Sequence, residues 1–210
     1  MVRAKKTNSK KQRGLKNVQP LRTDEQIKEF RETIKFLGKV GQLADPERDQ
    51  LLFTLGIDWG LRASDLVALT VADVKDKDHF LIKEQKTGKG KYAKINDNLK
   101  KQIANYIESH DLDADDWLFP SRSRDRKTGE RKHIQRQTLY KMLEKVADYL
   151  DWDNIGTHTL RKTFAYHLYR KTGNIALVQE LLNHSSQAVT LRYIGVTQDE
   201  LDNALEDFYL

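Results

Sequence analysis

The sequence contains no cysteine, only three prolines, and no hydrophobic run long enough to cross a bilayer. Without Cys there is no disulfide framework and no thiolate metal site, so any metal would have to be held by His and carboxylates; the lack also fits a reducing compartment. With 32% charged residues and a mean hydropathy of -0.74, nothing approaches the roughly 18 consecutive apolar residues of a membrane span. The N-terminus is basic, but no apolar run follows it, so the order of a secretory signal is missing. A chain that stays in the cytoplasm, away from membranes, is expected. Scarce proline and the lack of a Gly/Ser linker leave no domain boundary after about residue 21. A hydrophobic content of 38% over 210 residues is enough for one buried core.

Acidic residues are missing from the first twenty positions, which hold Arg3, Lys5, Lys6, Lys10, Lys11, Arg13 and Lys16. That stretch carries +7 against +6 for the whole chain, so the other 190 residues carry -1. Residues 1–20 are expected to form a disordered basic tail, serving either as a solubilising leader or as an arm attracted to polyanions such as DNA. Residues 21–210 are expected to form one domain.

Thr23 and Gln26 have capping-box spacing, and Ile27, Phe30, Ile34 and Leu37 follow at helical intervals, which predicts a helix over Asp24 to Leu37. Asp45 and Pro46 open a second helix that ends near Gly60, and Ala63 to Leu69 form a short third. The period then changes. His79 to Glu84 and Lys91 to Ile95 read as strands around the glycine-bearing turn Lys86-Thr87-Gly88-Lys89-Gly90, with Val71 to Val74 as a possible third strand. Helices are predicted over Asn98 to Ile107, Gln137 to Leu150, His158 to Lys171, Asn174 to Asn183, Gln187 to Tyr193 and Gln198 to Phe208, with Ser121 to Lys132 as a charged loop. The fold class is α+β, mostly helical, with one small antiparallel sheet.

Four stretches carry unusual chemistry: Gly60-Leu61-Arg62-Ala63-Ser64-Asp65-Leu66, Lys86-Thr87-Gly88-Lys89, His158-Thr159-Leu160-Arg161, and Leu182-Asn183-His184-Ser185-Ser186 leading to Thr190 and Tyr193. Together, in this order and over roughly residues 21 to 208, they resemble the tyrosine recombinase, or phage integrase, family. The sharpest element is Asn183-His184-Ser185-Ser186 with a tyrosine nine residues after the histidine. The resemblance implies that family's catalytic-domain fold and metal- and ATP-independent cutting and rejoining of DNA through a 3′-phosphotyrosine.

Cleaving a phosphodiester without metal or water requires a nucleophile, charge stabilisation and proton transfer. The resemblance assigns these roles. Tyr193 is the nucleophile, and the bond energy kept in the phosphotyrosine makes a cofactor unnecessary. Arg62 and Arg161 grip the non-bridging oxygens with guanidinium forks, Arg62 being oriented by Asp65. His158, at i, i+3 from Arg161, takes the phenol proton. Lys86 is the general acid, with Lys89 and Lys91 as competitors, and His184 supports the phosphate. Asn183 stands where the family most often has Gly, but Asn tolerates a left-handed backbone. Each residue alone has a plainer reading: a paired helix-end arginine, a solvated lysine, a capping histidine, a packing tyrosine. Tyr166, Tyr169 and His167 take that plainer reading. His79, His110 and His133 have no metal-ligand spacing.

The resemblance further implies double-stranded DNA as partner, a homotetramer on two DNA sites, accessory DNA-bending proteins, and a bacterial, nucleoid-associated role in integration, excision, inversion or resolution, as for a mobile element. The stripe Leu201, Ala204, Leu205 and Phe208 packs either on a neighbouring subunit or on its own domain. Most members of that family have an N-terminal DNA-gripping domain of about a hundred residues, where this sequence offers some twenty basic residues. The chain thus reads as a single-domain recombinase, like the invertases that switch fimbrial genes, or as a catalytic piece of a longer integrase. A type IB-like topoisomerase and a DNA-binding accessory protein with a degenerate site are the rival readings.

Overall fold

A computed structural model describes residues 18–124 and 127–195. Most of the basic tail and the helix expected over Gln198 to Phe208 lie outside the described residues. At the other edge of the tail, residues 18–21 are packed against the domain. The Gln19 N–H donates to the Asn154 carbonyl, and the Leu21 N–H donates to Thr163 Oγ1 at 2.9 Å.

Helix α1 (Asp24–Lys39) starts at Thr23, whose hydroxyl accepts from the Gln26 N–H in a reciprocal capping box. Its buried face is Phe30, Ile34 and Leu37. Helix α2 (Pro46–Trp59) is capped by Asp45 and runs through the centre of the domain, so apolar residues cover nearly its whole circumference: Leu51, Leu52, Phe53, Leu55 and Ile57 are all buried. It ends at Gly60, which is left-handed at φ 57°. A side chain there would be strained and would collide with the Phe164 ring. The close approach of α2 to the later helix α7 (Thr157–Thr172) thus depends on that glycine.

Arg62 is the N-cap residue of the short α3 (Ala63–Val67). Residues 71–74, expected as a third strand, form a helical turn instead, α4 (Val71–Val74). Thr70 and Asp73 close a second capping box around it, and this local pairing outweighs the β propensity of the two valines. Strands β1 (His79–Lys83) and β2 (Gly90–Lys94) pair antiparallel, with Leu81 opposite Tyr92. Trp59 packs edge-on against Phe80 and its indole N–H donates to the Lys94 carbonyl at 3.0 Å, which anchors this hairpin on α2.

Helix α5 (Asp97–Ser109) follows, capped by Asn96. The stretch Ser121 to Lys132, expected as a loop, lies in a second hairpin, β3 (Pro120–Arg124) with β4 (Arg131–His133). Its polar side chains conceal the strand period because neither face of the ribbon is buried. Helix α6 (Arg136–Leu150) leads into α7, and α8 (Ile175–Leu181) and α9 (Gln187–Ile194) complete the described fold. Helix α8 stops two residues before the expected Asn183, which adopts the left-handed conformation at φ 52°.

The main core surrounds α2. A smaller one joins α7, α8 and α9 through Ala165, Tyr166, Val178, Leu182 and Ile194, with Tyr169 and Tyr193 packed against it. Tyr166 and Tyr169 are therefore packing residues, as expected, and His167 holds the Leu21 carbonyl. Among the described residues no helix is long and apolar enough to cross a membrane.

Candidate active site

The junction of the two cores holds the chemically loaded side chains. Arg161, in the second turn of α7, is buried to 2% exposure. It donates to the Gly60 carbonyl at 2.7 Å and to the Leu182 carbonyl at 2.6 Å. These are the C-caps of α2 and α8, whose carbonyls carry the negative end of the helix dipole and lack intrahelical partners. One guanidinium thus ties together the ends of two helices.

Arg62, two residues beyond Gly60, forms an ion pair with Glu84. Glu84 is itself buried, and its second oxygen accepts from the Thr87 hydroxyl at 2.7 Å. Arg161 lies 3.6 Å from the same carboxylate. Burial raises the Glu84 pKa, but the hydrogen bonds from Arg62 and Thr87 and the two arginine charges outweigh it and hold the carboxyl below its ordinary value. Asp65 does not orient Arg62, contrary to the sequence expectation. It accepts from the Gln85 N–H at 3.0 Å and so pins the β1–β2 turn, while Glu84 is the carboxylate that Arg62 pairs with.

His158 lies one turn before Arg161, and its Nδ1 is 3.2 Å from the Tyr193 hydroxyl. With the ring proton on Nε2, the phenol donates to Nδ1. Burial first, then the charges of Arg161, Lys162, Arg136 and Arg62, depress the His158 pKa, so the imidazole is neutral at pH 7 and free to accept a proton. Burial pushes the Tyr193 pKa up to about 12 against the opposing pull of Arg161 and Arg62. His184 packs edge-on against Tyr193 with ring centroids 4.9 Å apart, and its Nδ1 is 3.2 Å from the Thr190 hydroxyl. Burial and the arginine charges lower its pKa to about 4. Lys162 sits over the Tyr193 ring at 5.2 Å.

Of the six expected site residues, five therefore converge: Arg62, His158, Arg161, His184 and Tyr193. Lys86 does not join them. It is exposed in the β1–β2 turn and makes none of the cluster's bonds, although Glu84 and Thr87 of the same turn do. Its competitor Lys91 is buried, with its ammonium donating to the Leu181 carbonyl. Lys89 is exposed. The Asn183 amide also reaches the Gly90 carbonyl at 3.3 Å, so the start of β2 is fastened to the segment that leads to His184.

The sequence reading missed Glu84 and the structural part of Lys91. A signal for Glu84 existed: two buried guanidiniums need a counter-charge, and Glu84 is the one acidic residue between positions 79 and 95.

Burial and the neighbouring arginines depress the Lys91 pKa to about 7. The unfolded chain therefore binds more protons at this residue between about pH 7 and 10.5, and the Lys91 contribution to stability improves as pH rises through that window. Lys91→Met is expected to lose this increment. Thermal melts of both proteins at pH 7 and pH 9.5 check it: the wild type should gain more in midpoint than the variant, and equal gains would contradict the assignment.

Among the described residues, no group of three or more His, Asp or Glu is arranged to hold a metal ion. The arrangement instead offers a phenol bonded to a neutral imidazole, beside two fixed guanidiniums.

Comparison with known proteins identifies the family and the fold. The model of the phage integrase family matches residues 23–200. The probable integrase/recombinase YoeC of Bacillus subtilis (strain 168) is 39% identical over 191 residues, covering 91% of this chain and 97% of that protein. Tyrosine recombinase XerA of Pyrococcus horikoshii is 30% identical over 169 residues, 80% of this chain and 57% of that protein. Among solved structures, the XerH site-specific recombinase in a post-cleavage complex with palindromic difH substrate superposes with a TM-score of 0.68 at 24% identity, over 91% of this chain and 54% of that one. The catalytic domain of bacteriophage HP1 integrase superposes with a TM-score of 0.58 at 20% identity, over 90% and 95%. The fold is that of a tyrosine recombinase catalytic domain. The chain belongs to the phage integrase family, the tyrosine-type site-specific DNA recombinases. It spans nearly all of YoeC but a little over half of XerA and of the XerH chain.

Proposed function

We propose that this chain cuts and rejoins double-stranded DNA at specific sites, with Tyr193 as nucleophile. The Tyr193 oxygen attacks the scissile phosphorus as its proton passes to His158. The P–O5′ bond breaks, and the departing 5′ oxygen takes a proton from Lys86, leaving a 3′-phosphotyrosine. Arg62 and Arg161 hold the non-bridging oxygens while negative charge builds, and His184 supports them. Attack by a second 5′-hydroxyl reverses the step on a new partner strand, with the phosphoester energy retained and no metal or nucleotide needed. The Lys86 turn has to close over the DNA for this, and the bond from the Thr87 hydroxyl to Glu84, which pairs with Arg62, supports such a coupling.

The finer assignments belong to the same reading. Residues 21–210 form one catalytic domain. The tail of residues 1–20 adds sequence-independent phosphate contacts. Four protomers act on two DNA sites with help from DNA-bending proteins, in the nucleoid of a bacterial cytoplasm, to integrate, excise, invert or resolve a mobile element.

The observation that carries the proposal is the His158–Tyr193 hydrogen bond beside the arginine pair. Incubation with a pooled genomic library of nicked suicide duplexes is expected to produce a species that resists denaturing electrophoresis. Its digested peptide should carry nucleotides on Tyr193. A failure to trap DNA from any pool, or attachment through another residue, would sink the proposal.

A further inference from the structure

Positive charge gathers in the tail, in residues 122–136 and, less strongly, in the β1–β2 hairpin, where Lys83, Lys86, Lys89, Lys91 and Lys94 stand against Glu84. The tail carries +7. Residues 122–136 carry +5, from Arg122, Arg124, Arg126, Lys127, Arg131, Lys132 and Arg136 against Asp125 and Glu130. Since the whole chain carries +6, the remaining 175 residues carry -6. Apart from its tail, the protein is a net acidic body whose most basic projection is formed by residues 122–136.

That projection is the β3–β4 ribbon. It is rooted firmly: the Ile134 N–H donates to the Phe119 carbonyl at 2.9 Å, and the Trp117 indole N–H donates to the Arg131 carbonyl at 2.9 Å. Trp117 also packs edge-on against His133, and Leu118 and Phe119 are fully buried. Beyond this root Arg122, Arg124 and Arg131 are exposed. Arg124 and Arg131 stand directly opposite each other across the two strands. Like charges in such a pair repel and weaken a hairpin. Arg124 donates to the Gly129 carbonyl at 3.1 Å, a neutral acceptor, and Arg131 reaches Asp116 only at 3.7 Å. A ribbon that keeps this unfavourable pair gains from a polyanion that neutralises it.

The ribbon also leads to the active site. Three residues after β4 ends at His133, α6 begins at Arg136, and α6 packs against α7, the helix that carries His158 and Arg161. The base of the ribbon therefore borders the place where a scissile phosphate would lie. Alternate strand residues are about 7 Å apart, and two successive phosphate steps on one strand of a duplex rise by about the same distance.

We propose that the β3–β4 ribbon is a DNA-gripping arm that lies along the phosphate backbone of the duplex entering the active site, and so supplies a second hold on one side of the cleavage point. The proposal rests on the DNA-recombinase reading above. Contacts of this kind add affinity without reading sequence.

The test compares the wild type with the triple variant Arg122→Gln, Arg124→Gln, Arg131→Gln by fluorescence anisotropy on a labelled 40-base-pair mixed-sequence duplex across a range of NaCl concentrations. A control variant, Lys35→Gln, Lys39→Gln, Lys145→Gln, removes the same charge from exposed positions on α1 and α6. The ribbon variant is expected to bind at least about tenfold more weakly and to show a salt dependence shallower by about 2 to 3, at roughly 0.9 per lost phosphate contact. Its rate of adduct formation on saturating suicide DNA should match the wild type, and the control should bind nearly as the wild type does. Equal affinity and slope in the ribbon variant, or an equal loss in the control, overturns the arm. A wild type that neither binds duplex nor forms an adduct overturns the recombinase reading instead.

Discussion

Tyr193→Phe is expected to form no covalent adduct on suicide DNA, a loss of at least about 10⁴-fold of the kind seen when a nucleophile is deleted, while folding and DNA binding persist. The substitution removes one oxygen, which bonds to His158 at 3.2 Å and also interacts with the Arg161 guanidinium. The ring stays packed between His184 and the small core, so the melting midpoint should move by no more than a few degrees. The pH profile of the wild type tests the partner. With a phenol pKa of about 12, only on the order of one molecule in 10⁵ is ionised at pH 7, so cleavage needs a base. The His158 pKa is held below 6.5, chiefly by burial. The cleavage rate should therefore be level from pH 7 to 9 and fall as acid protonates the imidazole. A rate that climbs tenfold per pH unit above 7 would show that the phenol ionises without His158, and the base assignment would fail.

Arg161→Ala is expected to damage both the chemistry and the fold. It removes the guanidinium proposed to hold the scissile phosphate, with cleavage slowed at least about 10³-fold. It also leaves the Gly60 and Leu182 carbonyls without their donor and Glu84 with one arginine instead of two. Breaking a buried ionic network costs about 3–5 kcal/mol, or roughly 10 °C in a domain of this size. Arg161→Lys restores charge without the planar fork, so it should recover part of the melting midpoint and little of the rate. Thermal melts and single-turnover cleavage, run well below the lower midpoint, separate the two effects. An Arg161→Ala protein that melts like the wild type would mean that the arginine does not tie α2 to α8.

The helices show how far local signals reach. The Thr23–Gln26 box, Asp45 with Pro46, and the apolar periods of α1 and α5 all act within a few residues, and each element lies where those signals put it. The two misread segments failed for different local reasons. Val71 and Val74 have strand propensity, but Thr70 and Asp73 close a helical turn around them. The β3–β4 ribbon has no buried face and so no alternation to read.

The site divides in the same way. The order and spacing of Arg62, His158, Arg161, His184 and Tyr193 stand in the chain itself, because i, i+3 geometry and the motif around His184 are short-range properties. The sequence alone therefore determined the helical class, the family, and which side chains to watch. Only the tertiary structure decided that Glu84 rather than Asp65 pairs with Arg62, that Lys91 is buried while Lys86 is exposed, and that Arg161 joins two helix ends. Those contacts link residues from about 20 to about 100 positions apart. The physical reason is that buried charges take whichever partner packing brings within reach, and no local pattern encodes that choice.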